Sequence, residues 1–196
     1  MQVPISWDII RGMTGVAQKN ELQENILCKS CGLCCTGHLF IWVRLKASEL
    51  DRSQALGLNV IRSDPRQRGF TQPCPLWKGI CTIYDSPDYP RGCRNYQCKL
   101  LKELLDKKIS LPDALAVIQQ TKEIIHKLEL LLPASKRHNF RERLVTFLEG
   151  QEGKNPDLHQ AAEDLVALYE RTFGVQDLYD KPDRQQFQCR DSRYPY

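Results

Sequence analysis

Eight of the nine cysteines, Cys28, Cys31, Cys34, Cys35, Cys74, Cys81, Cys93 and Cys98, fall inside one segment, and four of them form the run CKSCGLCC. Thiolates spaced CxxC converge on one point and are preferred ligands of zinc and of iron–sulfur clusters. A segment built this way can fold around a metal where it lacks the apolar residues to fold around a core. The eight cysteines are therefore read as metal ligands, serving one or two centres.

Composition agrees with a globular protein: 196 residues, 41% hydrophobic and 27% charged, suit one domain or a small domain with an extension. The formal net charge of +4 counts the cysteines as neutral thiols. Eight thiolates holding two divalent ions would cancel it, so the apparent basicity does not point to nucleic acid. The opening stretch MQVPISWDIIRGMTGVAQKNE lacks a basic start followed by a long apolar run, and no segment has the length of an apolar membrane span. The expected setting is the cytoplasm, away from membranes, where dense cysteine signals metal binding over a disulfide framework.

The chain divides by character into a cysteine-cluster module over 1–98, a helical extension packed on it over 99–174, and a polar tail over 175–196. The first part is punctuated by turn formers (GLCCTG, SDPRQRG, QPCPLWKG, DSPDYPRG) and reads as irregular. Its expected strands are His38–Leu45 and Ile80–Tyr84, with a short helix over Ser48–Leu56 capped by Ser48. Beyond Cys93 the period becomes helical. Leu100, Leu101, Leu104 and Leu105 make one apolar face. Ser110 with Pro112 and Asp113 opens a helix that runs to Pro133. Asn139 with Glu142 opens another that ends at Gly150, and Asn155 with Pro156 and Asp157 opens a last one that ends at Gly174. The fold expected is mainly α, with a small irregular metal-knotted N-terminal module containing short β-strands and a C-terminal antiparallel helical bundle.

In the first cysteine cluster, two residues between ligands let a tight turn aim both sulfurs and nearby backbone N–H groups at one ion, and Gly32 supplies the backbone freedom such turns need. Adjacent Cys34 and Cys35 point apart, so they either serve two neighbouring sites or share one through a backbone kink. In the second set, Cys74, Cys81, Cys93 and Cys98, prolines 73, 75, 87 and 90 stiffen the chain, Arg91 and Arg94 flank Cys93, and Cys98 sits where a helix starts, which favours its thiolate. Zinc and an iron–sulfur cluster, including a 4Fe-4S cubane, both suit such a donor set. The awkwardness of adjacent cysteines in a purely structural zinc knuckle tilts the reading toward iron–sulfur. The sequence leaves the pairing of the cysteines open.

CKSCGLCC followed by PCPLWKGICTIYDSPDYPRGCRNYQC resembles the CxxCxxCC family of zinc- or iron-chelating proteins, the YkgJ-type cysteine-cluster proteins. The match covers Cys28 to Cys98. It comprises Cys31 to Cys35, Cys74 with Pro75, Cys81 with Ile83 and Tyr84, and Cys93 with Arg94, Tyr96 and Cys98. Tyr89-Pro90-Arg91-Gly92 is a small departure from the arginine–proline step common before the third element. The resemblance implies metal binding for structural, redox or metal-handling purposes. Through distant relatives, the flagellin lysine N-methylases, it also implies an alternative, a cluster-dependent enzyme such as a protein lysine N-methyltransferase with a protein partner or substrate. The chain has no GxGxxG loop and no nucleotide-binding βαβ unit to hold a methyl donor.

Of the remaining candidates, His38 could ligate a metal or tune one from behind a cysteine, but such a histidine is more often structural or solvated, since eight thiols already suffice for two four-ligand sites. His126, His138 and His159 read as surface residues. Trp42, Trp77 and Tyr84 are expected to form an apolar shell over the metal. The basic strips Lys99, Lys102, Lys107 and Lys108, and Lys136, Arg137, Arg141 and Arg143, are interrupted by Glu103, Asp106 and Glu142 and read as solvated helix faces. Cys189 reads as a free thiol. Metal analysis of two variants checks this assignment: Cys34→Ala is expected to lose metal and destabilise the N-terminal half, and Cys189→Ala to leave the metal content unchanged.

Overall fold

A computed structural model describes residues 22–135, 139–150 and 155–175. It is mainly helical with one small three-stranded antiparallel sheet. In the segment expected to be irregular, the described residues begin with a helix, α1 (Gln23–Cys31), which Gly32 ends in the left-handed conformation at φ 74°. The sheet follows, with β1 (Trp42–Arg44), β2 (Val60–Ile61) and β3 (Gly69–Thr71) in the order β1-β3-β2 and with Val43 opposite Phe70 and Phe70 opposite Val60.

The two expected strands fare differently. His38–Leu45 contracts to the three residues of β1, because Leu33 and its neighbours turn the chain first: the His38 and Leu39 N–H groups both donate to the Leu33 carbonyl. Ile80–Tyr84 is turn, apart from one bridge between Trp77 and Cys81. Its backbone donors are spent elsewhere, Cys81 N–H on the Lys29 carbonyl at 3.2 Å and Thr82 N–H on the Leu76 carbonyl at 3.3 Å. The Ser48 cap is also displaced. A 3₁₀ turn (Ala47–Glu49) precedes α2 (Leu50–Ala55), and it is Glu49 that reaches back to accept the Lys46 N–H at 2.9 Å. A five-residue helix that periodicity cannot reveal, α3 (Arg91–Asn95), carries Cys93.

The later helices begin where their caps predict. Cys98 caps α4 (Lys99–Leu105), its sulfur accepting the Leu101 N–H at 3.4 Å. Ser110 caps α5 (Leu111–Leu131) by accepting the Asp113 N–H. Asn139 and Glu142 exchange backbone N–H bonds of 2.9 Å in each direction at the start of α6 (Phe140–Gly150). Asn155 caps α7 (Pro156–Leu168), which runs into a π turn, Tyr169–Phe173, before Gly174.

Burial divides into two apolar clusters. The larger joins α1, α4, α5, α6 and α7 through Leu27, Leu33, Leu39, Leu100, Ile118, Ile125, Leu144, Leu165, Tyr169 and their neighbours. The smaller lies on the sheet and α2: Val43, Leu45, Leu50, Leu58 and Phe70. Helix α5 packs on α7 and α1, and α1 packs on α4, so residues of the cysteine segment contribute directly to the helical core. Arg141 is not on a solvated face. It is 1% exposed and donates to the Leu39 carbonyl. No helix among the described residues is long and apolar enough to cross a membrane.

Leu165 has no exposed surface, whereas Leu130 is 74% exposed. Leu165→Ala is expected to lower stability by about 2–5 kcal/mol through lost transfer energy and the cavity left behind. Leu130→Ala should stay within about 0.5 kcal/mol, with both read from urea denaturation midpoints.

Candidate functional site

Each cysteine is carried by a short local structure that aims it. Cys28 and Cys31 lie one turn apart on α1 and so share a face. Gly32 then reverses the chain. Thr36 N–H and Oγ1 both donate to the Gly32 carbonyl, and Gly37 N–H donates to the Cys34 carbonyl, which closes Cys34 and Cys35 into a compact turn. Gly32 has a second reason to lack a side chain: a Cβ there would stand 2.1 Å from the Trp77 ring. Trp77 thus lies directly over the turn at the centre of CKSCGLCC.

Cys74 is tied to this turn by its own N–H, which donates to the Cys35 carbonyl at 2.7 Å, and Trp77 N–H donates to the Cys74 carbonyl at 3.1 Å. Cys81 follows on the same loop and is fastened to the end of α1 through the Lys29 carbonyl. Cys93 comes from α3, whose first N–H, that of Arg91, is taken by buried Glu49 at 2.8 Å. Cys98 arrives as the cap of α4. All eight are free thiols and all are partly buried.

The electrostatics sort the thiols into two groups. Burial comes first in raising the Cys28 thiol, to about 12, followed by Cys98 and Cys31. Burial also leads for Cys34, which then feels Cys31 and Cys98 more strongly than its neighbour in sequence, Cys35. Cys35, raised by burial, instead feels Cys81 and Cys74 before any thiol of α1. Cys93, raised by burial, feels Cys35, Cys74 and Cys81. The leading thiol interactions therefore run among Cys28, Cys31, Cys34 and Cys98 and among Cys35, Cys74, Cys81 and Cys93, with weaker ones crossing between them, from Cys81 to Cys28 and from Cys31 and Cys28 to Cys35.

Backbone donors oppose the burial. N–H groups of Leu33 at Cys31, of Leu76 and Trp77 at Cys74, of Ile83 at Cys81 and of Leu100 and Leu101 at Cys98 all favour the thiolate. Lys122, whose ammonium also donates to the Ser30 carbonyl at 3.1 Å, acts on Cys31, and Lys29 acts on Cys81. Neither lysine is distinguished in the sequence. Arg94, expected to serve Cys93, lies over the Tyr89 ring and donates to the Ser86 carbonyl.

In their chemistry these thiols suit a soft cation, which would neutralise sulfurs whose charged forms repel one another in apolar surroundings. Among the described residues, no three Cys, His, Asp or Glu side chains are already closed around a common point. Metal binding would have to draw the sulfurs of a group inward.

Several expected neighbours lie elsewhere. His38 turns its ring away from the thiols, with Nδ1 2.6 Å from Thr36 Oγ1, Nε2 3.4 Å from Glu129 and the ring edge-on to Phe140. Burial lowers its pKa first, with Glu129 opposing. Trp42 donates to the Gln67 carbonyl and packs on Gly69 of the sheet. Tyr84 stands near Cys28, its hydroxyl donating to Asn25 and its ring under the Lys29 ammonium. The aromatic residues that feel whole groups of thiols are two others. Tyr96 feels Cys34, Cys98, Cys31 and Cys28, and Tyr89 feels Cys93, Cys81 and Cys35, each being raised first by burial. The Tyr89 hydroxyl also hydrogen-bonds Cys81. Tyr96 is visible in the sequence only as a motif letter, and Tyr89 only as part of a departure from it. His138, Lys136, Arg137 and Cys189 lie outside the described residues.

The chain matches no protein-family model, no curated protein and no solved structure.

Gly32→Ala adds left-handed backbone strain of about 1–2 kcal/mol to a clash with Trp77 worth about 1–3 kcal/mol. Gly57→Ala, at φ 92° with open space around it, adds the strain alone. Denaturation midpoints should fall further for the first. A second expectation concerns pH in the metal-free protein. The thiols are raised in the folded chain, so the unfolded chain releases protons that the folded one keeps. Stability should be full below the ordinary thiol value of 9.0 and fall as the pH climbs toward about 11 and 12, where Cys98 and Cys28 titrate. Denaturation of chelator-treated, reduced protein across that window checks the sign.

Proposed function

We propose that this protein binds metal through Cys28, Cys31, Cys34, Cys35, Cys74, Cys81, Cys93 and Cys98, as a cysteine-cluster protein of the CxxCxxCC type. In that reading residues 1–98 form a module knotted by metal, and the helices after Cys98 form an antiparallel bundle on which it rests. The observation that carries the proposal is the gathering of eight free, partly buried thiols from distant parts of the chain, four of them with backbone N–H groups at their sulfurs. Such N–H groups stabilise thiolates, and thiolate is the form a metal requires.

A bound zinc ion would cross-link the loops, whereas an iron–sulfur cluster would in addition carry an electron. The residues of the chain have their own parts. Gly32 and Trp77 hold the first turn, Glu49 holds the helix that presents Cys93, and Tyr89 and Tyr96 screen the thiols from water. With Cys34 and Cys35 beside different thiol groups, the two need not share one ion, so their adjacency does not count against zinc. The function proposed is structural, redox or metal-handling, in the cytoplasm.

Purification without oxygen, followed by metal and sulfide analysis and absorption spectroscopy, tests the reading. Iron with acid-labile sulfide and visible colour is expected for a cluster, and zinc without colour for a zinc protein. A colourless, reduced, folded protein that neither holds metal nor takes it up would end the proposal.

A further inference from the structure

The division of the thiols is repeated in the packing of the chain. Cys28, Cys31, Cys34 and Cys98 all pack against the large helical cluster, the first two on α1 and the last at the head of α4, and these two helices touch. Cys74 and Cys93 pack against the small sheet cluster, and α3 beneath Cys93 rests on β1. Cys35 joins this second side through the 2.7 Å bond from Cys74 N–H to its carbonyl, and Cys81 lies on the same loop as Cys74. The two groups meet at the peptide between Cys34 and Cys35, at the bond from Cys81 N–H to the Lys29 carbonyl, and where Trp77 stands against Gly32.

All eight cysteines are partly buried, and the two sides differ in the exposure of the residues around them. The helical group is flanked by core leucines: Leu27 beside Cys28, Leu33 beside Cys34, and Leu100 and Leu101 after Cys98 are each 5% exposed or less. On the sheet side, the loop that carries Cys74 and Cys81 has an exposed tip, Lys78, Gly79 and Ile80, the last being 50% exposed, and Thr82 beyond Cys81 is exposed as well.

We propose that the eight thiols form two separate four-cysteine metal sites, an inner one of Cys28, Cys31, Cys34 and Cys98 packed against the helical core and an outer one of Cys35, Cys74, Cys81 and Cys93 that includes the loop with the exposed tip, and that the outer site exchanges its ion with solution while the inner one retains it. This rests on the metal-binding reading above and goes further in assigning the ligands, the number of sites and their unequal access. Each site would take up a thiophilic divalent cation such as Zn²⁺ and release the thiol protons as it binds. The Cβ atoms of consecutive residues point to different sides of a turn, which lets Cys34 and Cys35 belong to different sites with no gap in the sequence between them.

Native mass spectrometry of the full chain, loaded anaerobically with Zn²⁺ and then challenged with a chromogenic chelator, is the test. Two ions per chain are expected, released in two phases of equal amplitude that differ in rate by roughly tenfold or more, the equivalent of about 1.4 kcal/mol in barrier. Cys35→Ser and Cys81→Ser should each leave one ion and abolish the fast phase. Cys34→Ser and Cys98→Ser should each leave one ion and abolish the slow phase. Circular dichroism identifies any variant that fails to fold, and the stoichiometry and biphasic release of the unmutated chain keep the test decisive in that case. One ion per chain, or release in a single phase, overturns the two-site inference while metal binding itself stands. No bound ion overturns both. Loss of both ions from well-folded Cys35→Ser or Cys81→Ser shows one interdependent cluster and also overturns the inference.

Discussion

Buried thiols close enough to repel one another as thiolates are the constraint around which the first half of this chain is organised. Burial and mutual repulsion both favour the neutral form, while N–H groups at Cys31, Cys74, Cys81 and Cys98 and the ammonium groups of Lys122 and Lys29 pull toward the charged one. The balance leaves the thiols protonated at neutral pH. Loops otherwise poor in regular structure acquire a reason to meet: α1, the turn at Gly32, the Cys74–Cys81 loop, α3 and the head of α4 each deliver sulfur to one region.

The support for that region comes from two directions. Leu27, Leu33 and Leu39 place the first cysteine run within the helical core, and Arg141, buried in α6, grips the Leu39 carbonyl from the far side of the chain. Phe70 and Val43 place the second set on the sheet, and Glu49 links the turn before α2 to the start of α3. Where these supports meet, Trp77 stands against Gly32, so one close approach registers the two halves of the cysteine set. A side chain at Gly32 would disturb both groups at once. The tyrosines add a second layer, Tyr96 beside the helical group and Tyr89 beside the other.

What could be read without coordinates followed from local chemistry. The eight cysteines, the caps Cys98, Ser110, Asn139 and Asn155 and the apolar stripes of α4 to α7 depend on residues at most a few positions apart, and helix propensity and capping act over that range. Helix α1 was not legible, because its apolar face is short and its last turn carries Cys28 and Cys31 in place of further apolar residues. Helix α3 is a single turn, and Ile80–Tyr84 has a strand's composition but spends its donors on Lys29 and Leu76. Arg141 had the pattern of a surface charge and became a buried donor because α6 lies across Leu39.

The sequence by itself determined where the cysteines cluster along the chain and where the helices from Cys98 to Phe173 begin, since spacing and capping act over a few residues. Only the tertiary structure decided which thiols are neighbours. Cys34 and Cys35 are consecutive, yet each lies nearer in effect to sulfurs more than thirty residues away, Cys34 to Cys98 and Cys35 to Cys74 and Cys81. Sequence adjacency sets only the backbone link between two side chains. Their partners are set by which core each side chain faces, and that is known only when the helices and the sheet have packed.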